Sequence, residues 1–321
     1  MRAIVIEEQG GPEVMRFTHT EAPEPGPGEV LIDVEARGIN FIDIYQRSGA
    51  YAVSTPFTPG VEAAGSVAAV GSGVTEFAVG TRVAWAMAPG GYADQAVVPA
   101  QRVVPVPDGV TAEQAAAVLL QGMTAHYLTH STHAVQPGET VLVHAAAGGT
   151  GLLLVQMAKA RGATVIGTAS TEKKQTLARE AGADHIIDYT STDVASAVRE
   201  VTGGTGVAVV YDGVGADTFE TSLESLRVRG VLALFGQASG AVPPVDPQRL
   251  NSAGSVFLTR PSLAHYVSSR SELLERSADV FGLVETGRLK VRIGGRYGLA
   301  EAARAHEDLA ARRTTGKLLL T

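Results

Sequence analysis

The sequence contains no cysteine, and that one absence removes three kinds of chemistry. No disulfide, no thiolate nucleophile and no zinc held by cysteine sulfur can be built from it. There is no run rich in Lys and Arg, and the formal net charge is −7. A partner held mainly through its phosphates needs a concentrated basic surface, so nucleic acid is not expected as the main ligand. No apolar run approaches the roughly 18 residues that would span a bilayer. The opening "MRAIVIEEQGGPEV" lacks the basic segment and apolar core of a signal peptide, and reads as a strand entering a turn. The expectation is a soluble cytoplasmic protein with no membrane partner. Internal repeats and low-complexity tracts are missing too, and there is no G-x-S-x-G elbow from which to build a Ser/His/Asp triad.

What is present is an ordinary globular balance, 45% apolar and 18% charged, over 321 residues, enough for two domains. The two parts differ in texture. Up to about Gln121, short β-type runs such as "EVLIDVEARGIN", "GTRVAWAM" and "YADQAVVPAQRVVPVP" are broken by Gly and Pro. That pattern predicts an antiparallel, barrel-like domain. After "DGVTAEQAAAVLLQGMTAHYLTH", which reads as helices, strands and helices alternate. "TVLVHA" leads into "GLLLVQMAKARG", "ATVIGTA" into "EKKQTLAREAG", "HIIDY" into "DVASAVREVTGG" and "VAVVYDG" into "TFETSLESLRVRG", with "VLALFG" following. Near-continuous Val/Ile/Leu strands belong to a parallel sheet covered on both faces. Gly162, Gly182, Gly203 and Gly230 stand just past these helices, where left-handed caps are favoured. The prediction is a doubly wound α/β domain. The tail from Pro261 to Thr321 has two helical stretches and a strand-like end, and too little apolar material for its own core. It is expected to return to the first domain.

The segment "VLVHAAAGGTG" carries the most specific signal. Ala146, Gly148 and Gly151 occupy the three glycine positions of G-x-G-x-x-G, between a strand and a helix. The middle glycine lets the backbone approach a pyrophosphate, and the third allows close helix–strand packing. The free N–H groups over Ala147, Gly148, Gly149, Thr150 and Gly151 then face the phosphates. Alanine at the first position is tolerated if the turn there keeps a negative φ. In NAD-binding folds an Asp or Glu about 20 residues further on takes the ribose hydroxyls. Here the second strand ends "VIGTAST" with no acid, and Ser170, Lys174 and Tyr189 are placed to satisfy a 2′-phosphate. Glu172 is expected to point away within its helix's first turn. The cofactor predicted is NADPH rather than NADH. By the switch-point rule, Val214 within Gly213–Gly215, and Phe235 and Gln237, line the same crevice at later strand ends.

Four stretches carry a resemblance: "GINFIDIYQRSGAY" (Gly38–Tyr51), "GVEAAGSVAAVGSGV" (Gly60–Val74), "HAAAGGTG" (His144–Gly151), and "FGQASGAV" with "LTRPSL" between Phe235 and Leu263. Spread over nearly the whole length, they resemble the zinc-free quinone oxidoreductases of the medium-chain dehydrogenase/reductase superfamily, which include ζ-crystallin. The resemblance implies an α/β protein with a GroES-like β-rich catalytic domain at 1–122 and 262–321. A Rossmann NADPH-binding domain, a doubly wound parallel sheet, is inserted at 123–261, with the nicotinamide in the cleft. It also implies a homodimer joined by edge strands, with "GSVFLT" as the candidate edge.

Zinc alcohol dehydrogenases have G-H-E-x-x-G where this chain has "GVEAAG": Val61 replaces the histidine, while Glu62 stays. No metal site is expected, and Glu62 is read as a structural remnant paired to an Arg or to backbone amides. The resemblance makes Asn40 a nicotinamide-site asparagine whose amide bonds the carboxamide or the acceptor oxygen. Tyr45 and Tyr51 become cleft tyrosines for a planar acceptor. Gln121 stands where relatives carry a lysine; it can hydrogen bond but cannot donate a proton. Thr124, Arg260 and Lys317 complete the implied cofactor contacts. His126, His130 and His133 are expected to be core or surface histidines, His144 a strand end bonded to backbone, and Asp43 a helix-turn residue. The leading reading is hydride delivery from NADPH to a quinone; reduction of an α,β-unsaturated carbonyl is the alternative. A non-enzymatic alternative is an NADPH-binding crystallin or RNA-binding protein.

Overall fold

Alternation in "EVLIDVEARGI" buries Val30, Ile32, Val34 and Ala36 and leaves Asp33 and Glu35 exposed, the period of a strand with one face covered. In the computed structural model, which describes residues 1–321, this segment is β3 (Glu29–Ile39). It follows the antiparallel pair β1 (Arg2–Val5) and β2 (Arg16–His19). After it come helix α1 (Phe41–Ser48), then β4 (Glu62–Val70), β5 (Arg82–Ala86), β6 (Gln95–Pro99), β7 (Val103–Pro105) and helix α2 (Ala112–Tyr127). The alternation of β3 stops at Arg37, and from there to Asn40 every residue is buried.

The alternating part of the chain supplies β8 (Thr140–Val143), α3 (Gly149–Ala160), β9 (Thr164–Thr168), α4 (Glu172–Glu180), β10 (His185–Ile187), α5 (Val194–Val201) and β11 (Val207–Asp212). It continues through α6 (Phe219–Ser225), β12 (Leu226–Leu234), α7 (Pro247–Ser252) and β13 (Phe257–Thr259). The tail adds α8 (Leu263–Tyr266), α9 (Arg270–Glu285), β14 (Ile293–Tyr297), α10 (Ala302–Ala310) and β15 (Lys317–Leu320). The chain divides into two compact units, Met1–Met123 with Tyr266–Thr321, and Thr124–His265.

In the first unit the sheet order is β14-β15-β3-β4-β5-β7, with β6 also paired to β3. All pairs are antiparallel except β14 with β15. Trp85, Ile32, Val98 and Val103 fill one core. In a second, Leu318 and Leu320 of the tail pack with Ile4, Ile39 and Tyr92. The tail's apolar residues are therefore buried against the N-terminal part.

The second unit is one parallel sheet, order β10-β9-β8-β11-β12-β13. Val141, Leu142, Val143, Val209 and Val210 are fully buried, as strands covered on both faces must be. Gly162, Gly182 and Gly203 adopt positive φ after their helices. Two local expectations fail together. The helix read through "TFETSLESLRVRG" stops at Ser225, and Gly230 is no cap but part of β12. Leu226 pairs with Val207 and Val231 with Val209, so Arg227–Gly230 bulge outward against one residue of β11. Arg229 (φ 58°) makes the left-handed turn and donates its N–H to Gly254 O. Burial of Leu226 against β11 overrides the local helical propensity.

Candidate functional site

The loop between β8 and α3 forms a cradle. Ala145 (φ 50°) takes the sharp turn, Ala146 stays out of the left-handed region, and Gly148 N–H bonds back to Ala145 O at 2.9 Å. Ala146 is fully buried, and a Cβ on Gly167 of β9 would lie 2.8 Å from its methyl. The methyl at the first motif position is thus accommodated by a missing one on the neighbouring strand. The two later glycines answer to different demands. A Cβ on Gly151 would meet Ala145 O at 2.3 Å and Ala146 Cα at 2.9 Å, so packing requires glycine there. A Cβ on Gly148 would meet only Ala145 O, at 3.2 Å. That contact is tight but needs only a shift of a few tenths of an ångström, so packing opposes a side chain at Gly148 far less than at Gly151. Gly148 caps α3 with no side-chain hydrogen bond, and the first turn, with Gly149 and Thr150, holds no acid. A helix start of this kind presents free N–H groups and positive potential to an anion.

Because the strands are parallel, their C-terminal ends share the edge on which this cradle sits. Half-buried Ser170 follows β9, Lys174 lies in the first turn of α4, and Tyr189, 42% exposed, follows β10. Val214 follows β11, Phe235 and Gln237 follow β12, and exposed Arg260 follows β13. Ala147 is buried in the cradle, and Thr124 is buried in α2. The carboxylates near the end of β9 are engaged. Glu172 accepts from Arg179, and Asp188 accepts from the backbone and hydroxyl of Thr190 and from Gln175, bonds that hold its carboxyl below the usual range.

The first unit contains a buried polar cluster whose hydrogen bonding can be read without ambiguity. Glu62, fully buried, accepts from Lys317 Nζ at 2.6 Å, Asn40 Nδ2 at 2.8 Å and the Leu120 N–H at 2.6 Å. Of the two partners expected from the sequence, an arginine or backbone amides, the backbone amide is present, and a lysine with a side-chain amide stands in place of the arginine. An ammonium only donates and a carboxylate only accepts, so Asn40 must turn Oδ1 to Lys317 (2.7 Å) and Nδ2 to Glu62. Asn40 Nδ2 also donates to Gly38 O at 3.3 Å. The group 3.2 Å from Asn40 Oδ1 must then be Gln121 Nε2, which leaves the buried Gln121 Oε1 without a partner.

Two residues assigned to the cofactor site from the sequence, Asn40 and Lys317, lie in this cluster. Asn40 is 3% exposed, and every hydrogen-bonding position of its amide has a partner inside the unit. Lys317, 2% exposed, places its ammonium on Glu62 and Asn40. Gln121 is the member of the cluster with unused capacity. Tyr45 and Tyr51 are half-buried and lie ring against ring, centroids 5.1 Å apart.

Sequence reasoning missed a second buried line. Asp43 does help start α1, accepting from Asn40 N–H, but it also accepts from Val61 N–H and the Tyr92 hydroxyl. Burial pushes its carboxyl up to about 6. Tyr92 also meets His306 Nε2 at 3.1 Å, and Arg47 meets His306 Nδ1 at 3.3 Å. Burial and the adjacent guanidinium lower His306 to about 3. The sequence marks Asp43 by its place in a helix start, but nothing local marks His306 as its neighbour's partner. Asp43 thus fixes the backbone on both sides of the cluster, at Asn40 and beside Glu62. His126 and His130 stack at 4.1 Å, His133 pairs with Glu139 at 2.8 Å, and no three metal-binding side chains converge. His144, just past β8, donates its N–H to Tyr211 O as a strand end bonded to backbone, and its ring adds bonds to the Thr168 and Ser222 side chains.

Residues 26–108 match the family model described as alcohol dehydrogenase GroES-like domain, and residues 149–278 match the one described as zinc-binding dehydrogenase. A quinone oxidoreductase of Pseudomonas aeruginosa is 49% identical over 313 residues, covering 97% of this chain and 96% of that protein. A 2-haloacrylate reductase of Burkholderia is 44% identical, covering 99% of this chain and 98% of its own. The solved structure of Escherichia coli quinone oxidoreductase complexed with NADPH superposes with a TM-score of 0.98 at 44% identity, covering 100% of this chain and 99% of that one.

Proposed function

Because this chain belongs to the quinone oxidoreductases of the medium-chain dehydrogenase/reductase superfamily, we propose that it is an NADPH-dependent quinone reductase that works without zinc. The observation that carries the cofactor assignment is the glycine cradle at the start of α3, on a strand edge where β9 is followed by Ala169 and Ser170 rather than by a carboxylate. The amides of Ala147, Gly149, Thr150 and Gly151 would hold the pyrophosphate against the close backbone of Gly148, and Ser170, Lys174 and Tyr189 the 2′-phosphate. When bound, NADPH supplies the hydride. This chain's part is orientation. Glu62, Lys317 and Asn40 aim Gln121, whose second Nε2 hydrogen is available to an acceptor's carbonyl oxygen. The Tyr45–Tyr51 pair offers an aromatic face to a planar ring. The zinc-free reading is supported by the sequence, which has Val61 in the histidine position and no cysteine.

The 44% identity to a 2-haloacrylate reductase favours a second reading, reduction of a conjugated double bond next to a carbonyl or carboxylate. NADPH oxidation should be followed with 1,4-benzoquinone, 9,10-phenanthrenequinone, a short enal and 2-chloroacrylate. Turnover with either quinone is expected; activity on the unsaturated acids or aldehydes alone would replace the first reading with the second. Lys174→Ala should weaken NADPH by about tenfold, the loss of one charge-assisted contact, while leaving NADH binding nearly unchanged. Equal loss for both cofactors in a titration would refute the 2′-phosphate assignment.

A homodimer through the open edge of the parallel sheet is part of the same proposal. β13 is the terminal strand, Phe257 on it is 62% exposed, and Val228 on the adjoining strand is 68% exposed. An uncovered strand edge with apolar side chains invites pairing with a second copy. Phe257→Asp should shift the sedimentation coefficient from dimer to monomer. An unchanged dimer would place the interface elsewhere.

A further inference from the structure

Beneath the cradle runs a line of buried polar side chains that the proposed reaction does not use: His144, Thr168, Asp212 and Ser222 are each at most 3% exposed. The proton positions along it follow by elimination. Asp212 is surrounded by donors: Val214 N–H at 2.8 Å and Gly215 N–H at 3.1 Å on Oδ1, the Thr218 hydroxyl on both oxygens, and Ser222 Oγ at 2.7 Å from Oδ2. As a carboxylate it only accepts, so the Ser222 hydroxyl proton points to it. Ser222 Oγ must then accept from His144 Nε2, 3.1 Å away. Burial lowers His144 below its ordinary range, so the ring is neutral and Nδ1 accepts. Its donor is the Thr168 hydroxyl at 3.2 Å, and Thr168 Oγ1 in turn accepts the N–H of Ala145 at 3.2 Å.

The two ends of this line are significant. Ala145 is the left-handed residue that turns the chain into the cradle, and Val214 and Gly215 form the loop after β11. β8 and β11 are neighbours in the sheet, and between them the strand order reverses: the chain runs from β8 to β9 and β10 on one side, then returns to β11 on the other. The loops flanking such a reversal are those between which an open parallel sheet binds its ligand. Each bond along the line polarises the next in a region closed to water, so both loops are held by one connected set of contacts.

We propose that Thr168, His144, Ser222 and Asp212 are positioning residues that lock the Ala145–Gly148 loop and the Gly213–Gly215 loop in a single relative arrangement, the one that receives the dinucleotide. The role rests on the NADPH reading above. Thr168 gives the cleanest probe, because valine has its shape without the hydroxyl and serine keeps the hydroxyl without the methyl. In calorimetric titrations of the whole chain, Thr168→Val and His144→Phe should each raise the Kd for NADPH about tenfold, the scale of one buried hydrogen-bonding group left unpaired. Thr168→Ser should stay within about twofold of the parent, and kcat with a quinone at saturating NADPH should change by no more than about twofold in all three. The double variant should bind no more weakly than the weaker single one, since both interrupt the same line.

Parent-like NADPH affinity in Thr168→Val, or Thr168→Ser as weak as Thr168→Val, would overturn the proposal. So would a lowered unfolding temperature with affinity unchanged, the mark of a purely structural role. Should either large change prevent folding, Ser222→Ala interrupts the line with the loss of one oxygen and carries the same expectation. A parent chain that binds no NADPH would instead overturn the cofactor reading itself, a different result from any of these.

Discussion

Lys317→Met should destabilise the protein by about 3–5 kcal/mol, the cost of breaking a buried ion pair from one side. Lys317 is 2% exposed and Glu62 fully buried, with 2.6 Å between Nζ and Oε2. Without the ammonium, the Glu62 charge keeps only Asn40 Nδ2 and the Leu120 N–H. Most of the loss comes from that stranded charge rather than from the lost attraction. Glu62→Gln added to Lys317→Met should therefore recover part of the stability, because it removes the charge and keeps an amide able to bond its neighbours. Urea unfolding of the parent and both variants measures this. A Lys317→Met midpoint close to that of the parent would mean that water reaches Glu62 and that the cluster is not dry.

The same variant bears on function through orientation. Lys317 is what forces Asn40 Oδ1 toward Gln121, and through it fixes which end of the Gln121 amide is free.

Gly151→Ala should cost on the order of 10²-fold in kcat/KM for NADPH, the usual penalty for displacing a binding element by about 1 Å. The new Cβ would stand 2.3 Å from Ala145 O and 2.9 Å from Ala146 Cα, and both are backbone, so no rotamer change relieves the clash. Either α3 or the Ala145–Gly148 turn must move. Gly148→Ala makes the instructive comparison. Its Cβ meets only Ala145 O, at 3.2 Å, which a shift of a few tenths of an ångström relieves, so the unfolding temperature should fall far less than in Gly151→Ala while the methyl stands in the approach to the cradle. Steady-state kinetics with varied NADPH, beside thermal unfolding, separates the two glycines: Gly151 is demanded by the protein, Gly148 by the ligand. A Gly151→Ala enzyme with parental kcat/KM would remove the packing account of the third motif position.

The cradle was legible in the sequence because its determinants are local. A buried strand, a turn and a helix follow one another from Thr140 to Ala160, and the spacing of Gly148 and Gly151 is fixed by that turn. The missing acid after β9 is local in the same sense. Even there, the sequence did not assign the left-handed turn to Ala145, nor show that Gly167 on the next strand makes room for the Ala146 methyl. The extent of α6 was misread for a related reason: "LESLRVRG" has helical character by itself, and only pairing with β11 makes Leu226 the start of a strand.

In the first unit the sequence determined which residue types are present and, through their motifs, which family they belong to. It could not determine which of them have hydrogen bonds to spare. Lys317 and Asn40 are 277 positions apart, and Asn40 and Gln121 are 81 apart. No periodicity records contacts of that range. The tertiary structure decides it: burial removes water as a partner, so each donor and acceptor must be matched within the cluster, and the fixed polarity of one carboxylate and one ammonium sets the direction of the rest. That accounting gives Asn40 and Lys317 partners within the cluster and leaves Gln121 Oε1 as its one buried side-chain atom without a partner.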